Sequence, residues 1–431
     1  MVHQYGPVVG IMEATTPTLI VADPDLVQEV LVKNFPSFCY NKSYFFHPIL
    51  SQGLLTKNGS EWKEAKKMIG PVFTPAKLKH MVPVIEACLN SLTTHMEIML
   101  DRGNNNEMEM KQVMSLLTID VVSRLFFAID ADVYKEGSVF VDNTRRSMQI
   151  PSLKLMAAAF LPESILRLMG FSVTPDGPTF YLLNLLTEIL SQRKRSDESH
   201  NDFIQMLIEA ESSDGKSLSD GKSLSDDEIL GHMMHFFLAG FDTTSVALSA
   251  AIHCLAIYPD VQERLRSEIS VHGDGTTPQS DKDSYFYSFS QEVLRLFPPA
   301  VRFDRIANQS KDIPINGRIT RIEAGTKIRV PIYHIHRDAQ IFPDPESFDP
   351  DRFMPGGNNR NTKLMTFAVG PRNCAGESFA RLLFRVALTC LLRRFRFERC
   401  AETLDPLDFS PSHIVLHAKG NIAAVSRLHD N

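Results

Sequence analysis

Phe367-Ala368-Val369-Gly370-Pro371-Arg372-Asn373-Cys374-Ala375-Gly376 is the stretch from which the rest of this chain is best read. A helical pattern follows it, from Glu377 to about Phe395, so the thiol of Cys374 sits on a glycine-bounded loop just before a helix N-terminus. Glycines allow a tight bend and a close approach of backbone to a flat ligand. A helix N-terminus and a bound metal both favour the thiolate. Thiolate ligation of haem iron pushes electron density onto the metal and favours O–O cleavage. Arg372 offers a planar fork of donors that suits a carboxylate such as a haem propionate. A lone cysteine in a loop would read as a core thiol. Phe367, Gly370, Arg372 and Gly376 at their spacings turn the reading of Cys374 to an iron ligand.

The pattern Phe-x-x-Gly-x-Arg-x-Cys-x-Gly resembles the haem-binding signature of the cytochrome P450 family at every fixed position. The resemblance runs from about Tyr5 to Val425 and is strongest over residues 62–83, 238–265, 292–353 and 367–380. Residues 74–83 and 334–338 look most like the animal microsomal branch that holds subfamily 3A and thromboxane synthase. It implies a mainly α fold with small β-sheets, a single P450 domain over residues 1–431. Members of that branch carry an N-terminal membrane anchor and a first helix, and the expectation is of an N-terminally truncated P450 fold that lacks both.

Composition agrees with a globular protein: of 431 residues, 43% are hydrophobic and 22% charged. The net charge of -6 argues against a nucleic-acid binder, which is usually basic. Six cysteines show neither a C-x-x-C pair nor zinc spacing, so the five besides Cys374 read as core thiols.

Along the chain, residues 18–21 read as a strand and Asp23-Pro24 as a helix start, Asp capping and Pro in the first turn. Trp62 and Lys66 lie one turn apart and share a helix face, both donors suited to a carboxylate. The family usually has Arg where Lys66 stands. Residues 90–211 are helix-patterned without a chemical signature. The hexamer Ser-Asp-Gly-Lys-Ser-Leu occurs twice in tandem over residues 213–224. Its spacing does not fit a phosphate loop, and it reads as a duplicated surface loop.

Ser225-Asp226-Asp227-Glu228 fits a capping box opening a helix to Tyr258, where Pro259 stops it. That helix is apolar nearly all round and therefore buried. A transmembrane span is the rival by length, opposed by His232, His235, Asp242 and several hydroxyls. Within it, Ala239-Gly240-Phe241-Asp242-Thr243-Thr244 places a glycine mid-helix, which costs roughly 1 kcal/mol against Ala and asks for a local reason. A groove for dioxygen beside the iron supplies one, with the Thr243 hydroxyl at its edge and Asp242 feeding protons. The motif is similar to the family's oxygen groove, which makes Thr243 and Asp242 the expected catalytic pair and Ala239 and Gly240 haem neighbours.

Glu292 and Arg295 are one turn apart, and by resemblance they join Arg352 in a structural triad. The resemblance further implies that Arg305, with Trp62 and Lys66, holds haem propionates. It places Leu238, Ala239, Thr243, Pro299, Ala300, Val301 and Phe303 around the substrate. Asn316-Gly317 signals a hairpin and residues 327–333 an alternating strand, while His334 and His336 read as alternate residues on a strand with no third metal ligand nearby.

The function so implied is monooxygenation of an apolar steroid, lipid or xenobiotic. The cofactor is haem b, and NADPH and flavins act only through a partner reductase, with cytochrome b5 as a further partner. Localisation by resemblance is the cytoplasmic face of the endoplasmic reticulum membrane, with no nucleic acid involved. The alternatives are a haem-thiolate isomerase acting on a peroxide without reductase, against which Thr243 argues, and a truncated haem-binding protein without activity.

Overall fold

The structure, a computed structural model, describes residues 2–41, 47–103, 106–161, 163–196, 202–212, 224–272, 282–359, 362–409 and 415–428. The duplicated hexamer, Leu224 excepted, lies outside them. The helices that position the site are α1 (Gly59–Ile69), α2 (Pro75–Asp101), α3 (Met110–Phe127), α4 (Asp226–Ile257), α5 (Tyr285–Leu296) and α6 (Glu377–Arg394). The larger sheet is formed by β1 (Val8–Glu13), β2 (Thr16–Val21), β3 (Phe303–Ile306) and β4 (Lys327–Val330), in the order β1-β2-β4-β3. The fold is mainly α with small sheets.

Ser225 starts α4 with the expected capping box. Its hydroxyl accepts from Glu228 N at 3.3 Å, and the Glu228 carboxylate accepts from Ser225 N at 3.0 Å. Because α4 is apolar on nearly every face, it can be stable only when surrounded. It runs through the largest core cluster, packed on α3 along much of its length, with the Asp176–Arg195 helix, α5 and α6 completing the jacket. Its most apolar window is 83% buried inside the protein, so this helix is a core element.

Near its start α4 meets the segment 47–58, which passes over the cavity described below. The contact is backbone against backbone: a Cβ on Gly231 would stand 2.6 Å from Ile49 O and 2.8 Å from Gly53 N. One turn later His235 Nδ1 accepts from Leu55 N at 3.2 Å, and Lys57 pairs with Glu228 at 2.5 Å. Burial pushes the His235 imidazole down to about 3, so it is a neutral acceptor at physiological pH.

A buried ion cluster fixes α5 to the segment after the larger sheet. The Glu292 carboxylate accepts from Arg295 Nε at 2.7 Å and Nη2 at 2.8 Å, from Arg352 Nε at 3.2 Å and from Asp349 N at 2.8 Å. The remaining Arg295 donors reach the carbonyls of His336, Pro345 and Ser347. Buried charges survive only when their hydrogen bonds are saturated in this way.

The Asn316-Gly317 hairpin forms, with both residues at left-handed φ, 49° and 74°. The expected strand over 327–333 is shorter. It ends at Val330, and all four residues of β4 are buried because β2 flanks it on one side and β3 on the other. Ile332–Ile335 is a helical turn, so His334 and His336 do not alternate on a strand. His336 is buried, accepts from Met365 N at 3.0 Å, and is held neutral by burial, which lowers it to about 3.

Gly231→Ala should displace the 47–58 segment from α4, since backbone atoms cannot make room as a flexible side chain would. A fall of several degrees in melting temperature and faster limited proteolysis within 47–58 are the expected results.

Candidate active site

Between α4 and the 367–376 loop lies a cavity of about 420 Å³, walled by Phe73, Phe126, Phe236, Phe303 and Ala300 among others. The loop folds back on itself before α6 begins: Ala368 N donates to Met365 O at 2.8 Å, Asn373 N to Gly370 O at 3.0 Å and Cys374 N to Phe367 O at 2.9 Å. Gly370 bends it at a φ of 79°, where a Cβ would fall 2.2 Å from Leu31 O, a position that only glycine can hold. Gly370 therefore shapes the loop from behind and does not itself line the cavity. Gly376, the residue before α6, does.

Cys374 opens onto the cavity, yet protein surrounds the site on all other sides. That burial pushes its thiol up, while the backbone N–H groups of Gly376 and Glu377, at the start of α6, pull it down. A metal on the sulfur would complete the shift to thiolate.

At the rim three cations converge. Arg372 donates to Cys39 O at 2.6 Å, Asn58 Oδ1 at 2.8 Å and Lys57 O at 2.6 Å, with its guanidinium 4.7 Å from the Trp62 ring centroid. Arg305, on β3, donates to Asn41 Oδ1 at 2.9 Å and Asp304 O at 2.8 Å. Lys66, one turn after Trp62 on α1, donates to Asn373 Oδ1 at 2.9 Å and to Pro371 O. Arg305, Arg372, Trp62 and Lys66 all line the cavity. Among the described residues no carboxylate pairs with any of these three cations.

Their ionisation records the strain. Burial, with Arg305 nearby, lowers Arg372 to about 9, and burial lowers Arg305 to about 10. Burial likewise lowers Lys66, with the Cys374 sulfur opposing and the two guanidiniums adding. Crowded, desolvated and without counter-ions, these cations call for an anion in the cavity. A flat metal complex that takes one soft thiolate and carries two carboxylates meets both demands, so the residues present fit haem.

On the opposite wall α4 presents Phe236, Ala239, Gly240, Thr243, Thr244 and Ala247. Their spacing is one helix face. Thr243 Oγ1 donates to Ala239 O at 2.8 Å and keeps its acceptor capacity toward the cavity. Gly240 lines the cavity, but its missing Cβ has a second reason. A methyl there would stand 3.1 Å from Val122 Cγ2, so glycine also lets α4 approach α3.

Three expected residues lie elsewhere. Leu238 and Asp242, four apart, share a different face of α4 by the helical period. Leu238 is buried in the main core. The Asp242 carboxylate is turned away from the cavity, 2.7 Å from Lys111 Nζ and 3.3 Å from His417 Nε2. Direct handover of a proton from Asp242 to the Thr243 hydroxyl is therefore not the resting arrangement. Val301 packs against Val246, Val415 and Leu416 in a satellite cluster, whereas Pro299, Ala300 and Phe303 do reach the cavity. Phe236 and Ala247 follow from the helical period around Ala239. Phe73, Phe126, Leu54 and Leu55 reach the cavity only through tertiary packing.

Asp242 is almost wholly buried. Burial raises its pKa, but Lys111 and then His417 outweigh this and hold it at about 2, below the ordinary 3.8. A carboxylate depressed on folding contributes stability that is complete above its unfolded value and is lost as pH falls through the folded one. Asp242→Asn should accordingly lower stability at pH 7 by on the order of 2 kcal/mol. The gap from the parent should narrow from about pH 4 downward, as urea midpoints at pH 7, 5, 4 and 3 will show.

Comparison with known proteins agrees with this geometry. The sequence matches the family described as "Cytochrome P450" across residues 1–425. It is 29% identical over 425 residues to mouse (Mus musculus) cytochrome P450 3A41, covering 95% of this chain and 82% of that protein. It is 30% identical over 435 residues to cytochrome P450 6a8 of Drosophila melanogaster, covering 97% and 85%. Cytochrome P450 3A56 of Fundulus heteroclitus is 31% identical over 422 residues, covering 94% and 83%. A thiol and uncompensated cations facing a threonine-bearing helix across one cavity thus accompany a match along nearly the whole chain, which belongs to the cytochrome P450 family of haem-thiolate monooxygenases.

Proposed function

We propose that this chain inserts one atom of dioxygen into an apolar organic substrate such as a steroid, lipid or xenobiotic, with electrons passed from NADPH by a separate flavoprotein reductase. The observation that carries the reading is the placement of the Thr243 hydroxyl on the wall of the cavity that also holds Cys374. Haem b, when bound, supplies the iron at which dioxygen is activated. Cys374 would hold it through its thiolate, and Arg305, Arg372, Lys66 and Trp62 would hold its carboxylates. Thr243, whose Oγ1 proton rests on Ala239 O, would turn it into the cavity and take another from the solvent side. Phe236, Phe303, Leu54, Leu55 and Ala300 exclude water and favour an apolar guest.

Two features support partners outside the cavity. Lys63, Lys67 and Arg393 are exposed and suit an acidic redox partner such as the reductase or cytochrome b5. Arg394 and Arg396 serve that surface less, since they bind Thr93 and Glu263. Within residues 152–169, Leu153, Met156, Phe160, Ile165, Leu168 and Met169 are exposed, an apolar stretch suited to the endoplasmic reticulum membrane surface.

Cys374→Ser should abolish the red-shifted Soret band of the reduced carbon monoxide complex, whereas Cys88→Ser and Cys390→Ser should keep it. A variant at 374 that retained the band would remove Cys374 as ligand.

Thr243→Ala should raise the peroxide released per NADPH several-fold with reductase present. Unchanged coupling would favour the peroxide isomerase in place of the monooxygenase.

A further inference from the structure

Asp242 is the most enclosed carboxylate on α4, and its two oxygens have different neighbours. Oδ1 accepts from Lys111 Nζ at 2.7 Å, and that ammonium also donates to Ser245 Oγ at 2.5 Å. Lys111, on α3, is itself largely enclosed. Oδ2 has no close hydrogen-bond donor among the described residues and is approached by His417 Nε2 at 3.3 Å. His417 is 32% exposed, so its other face reaches solvent.

The segment that carries His417 is pinned on both sides. Before it, Leu416 N donates to Pro299 O at 2.8 Å and Val415 bridges Ala300, two residues of the cavity wall. After it, Asn421 Nδ2 donates to Ser249 O on α4 at 2.9 Å. A titratable ring is thereby held between bulk water and a buried carboxylate next in sequence to Thr243. Among the described residues Lys111, Ser245 and His417 are the charged or protic side chains facing that carboxylate, and of these His417 alone is a ring that can take a proton at one nitrogen on its solvent side and give one from the other.

We infer that His417 is the entry point through which protons from solvent reach Asp242, and hence a positioning residue for the relay that ends at Thr243. The inference rests on the monooxygenase reading above. In each transfer His417 first takes a proton at Nδ1 from a hydronium ion on the solvent side, then gives the proton on Nε2 to Asp242 Oδ2, and returns to its starting state by tautomer exchange. Asp242, rotated about its side-chain bonds, gives that proton to Thr243 Oγ1, whose own proton passes into the cavity. No electrons move in these steps. The low value at which Asp242 is held means that it carries a proton only in passing, as a conduit should.

The test compares the parent with His417→Gln, Asp242→Asn and Thr243→Ala, all loaded with haem. The first readout is independent of turnover. Histidine labelled with 15N reports the ionisation of each ring, and the His417 signal, assigned by its loss in His417→Gln, should titrate at a different pH in Asp242→Asn. Identical titration in both proteins overturns the contact and with it the inference. The second readout needs no organic substrate: the fraction of consumed dioxygen released as hydrogen peroxide, with NADPH and reductase. His417→Gln should raise that fraction at least threefold and enlarge the solvent deuterium effect on NADPH oxidation, while the reduced carbon monoxide spectrum stays as in the parent. If Thr243→Ala raises the fraction and His417→Gln does not, His417 is off the route and the monooxygenase reading stands. If Thr243→Ala leaves it unchanged, the relay itself fails and the inference falls with it. Loss of the parent spectrum in His417→Gln together with an unshifted titration assigns His417 a purely structural role.

Discussion

A helix that is apolar on almost every face has to be enclosed by protein, and the architecture follows from enclosing α4. The jacket of α3, α5, α6 and the Asp176–Arg195 helix removes its side chains from water, at roughly 25 cal/mol for each Å² of apolar surface. Only one strip is left open, where Ala239, Gly240 and Thr243 carry side chains too small to fill the space in front of them. The cavity is thus the place where packing on this helix was left incomplete. Its far wall is a loop whose backbone is bent so tightly that side chains at Gly370 are excluded.

Charge divides along the same axis. On the thiol side Arg305 and Arg372 are buried and Lys66 half-buried, with carbonyl and amide partners but no counter-ion among the described residues, an arrangement that stores unfavourable energy until an anion arrives. On the far side of α4 the reverse holds, where the Asp242 carboxylate is answered by Lys111 and His417. The first cluster is open to a ligand and the second is closed upon itself. That contrast separates groups that bind from groups that supply.

Much of this was readable in the chain. The loop motif, the capping box at Ser225, the Asn316-Gly317 turn and the Glu292–Arg295 pair are local signals, set by residues within one or two turns of each other, and each appears in the structure as expected. The departures share another cause. The resemblance sets Leu238 around the substrate and Asp242 beside Thr243 as its proton source, whereas adjacent helical residues point in directions about 100° apart, and neither side chain faces the cavity. Val301 departs for a tertiary reason, drawn off by Val246 on α4 and by Val415 and Leu416 more than a hundred residues later. The aromatic walls Phe73 and Phe126 and the link from His417 to Asp242 join residues remote in sequence, and no local pattern announces them.

Along one uninterrupted helix, Gly231 and His235 receive the covering segment, Ala239 and Thr243 face the cavity, and Asp242 faces the clamp. Their directions are phased against one another by the helical repeat alone. Replacing any one side chain leaves that phase intact, but adding or deleting one residue between 231 and 243 would turn everything beyond it by about 100° and uncouple all three. This part of the molecule can therefore vary in letters but not in length. The freedom to change length lies upstream of the cap at Ser225, and it is there, immediately before the helix, that the sequence carries its duplicated hexamer.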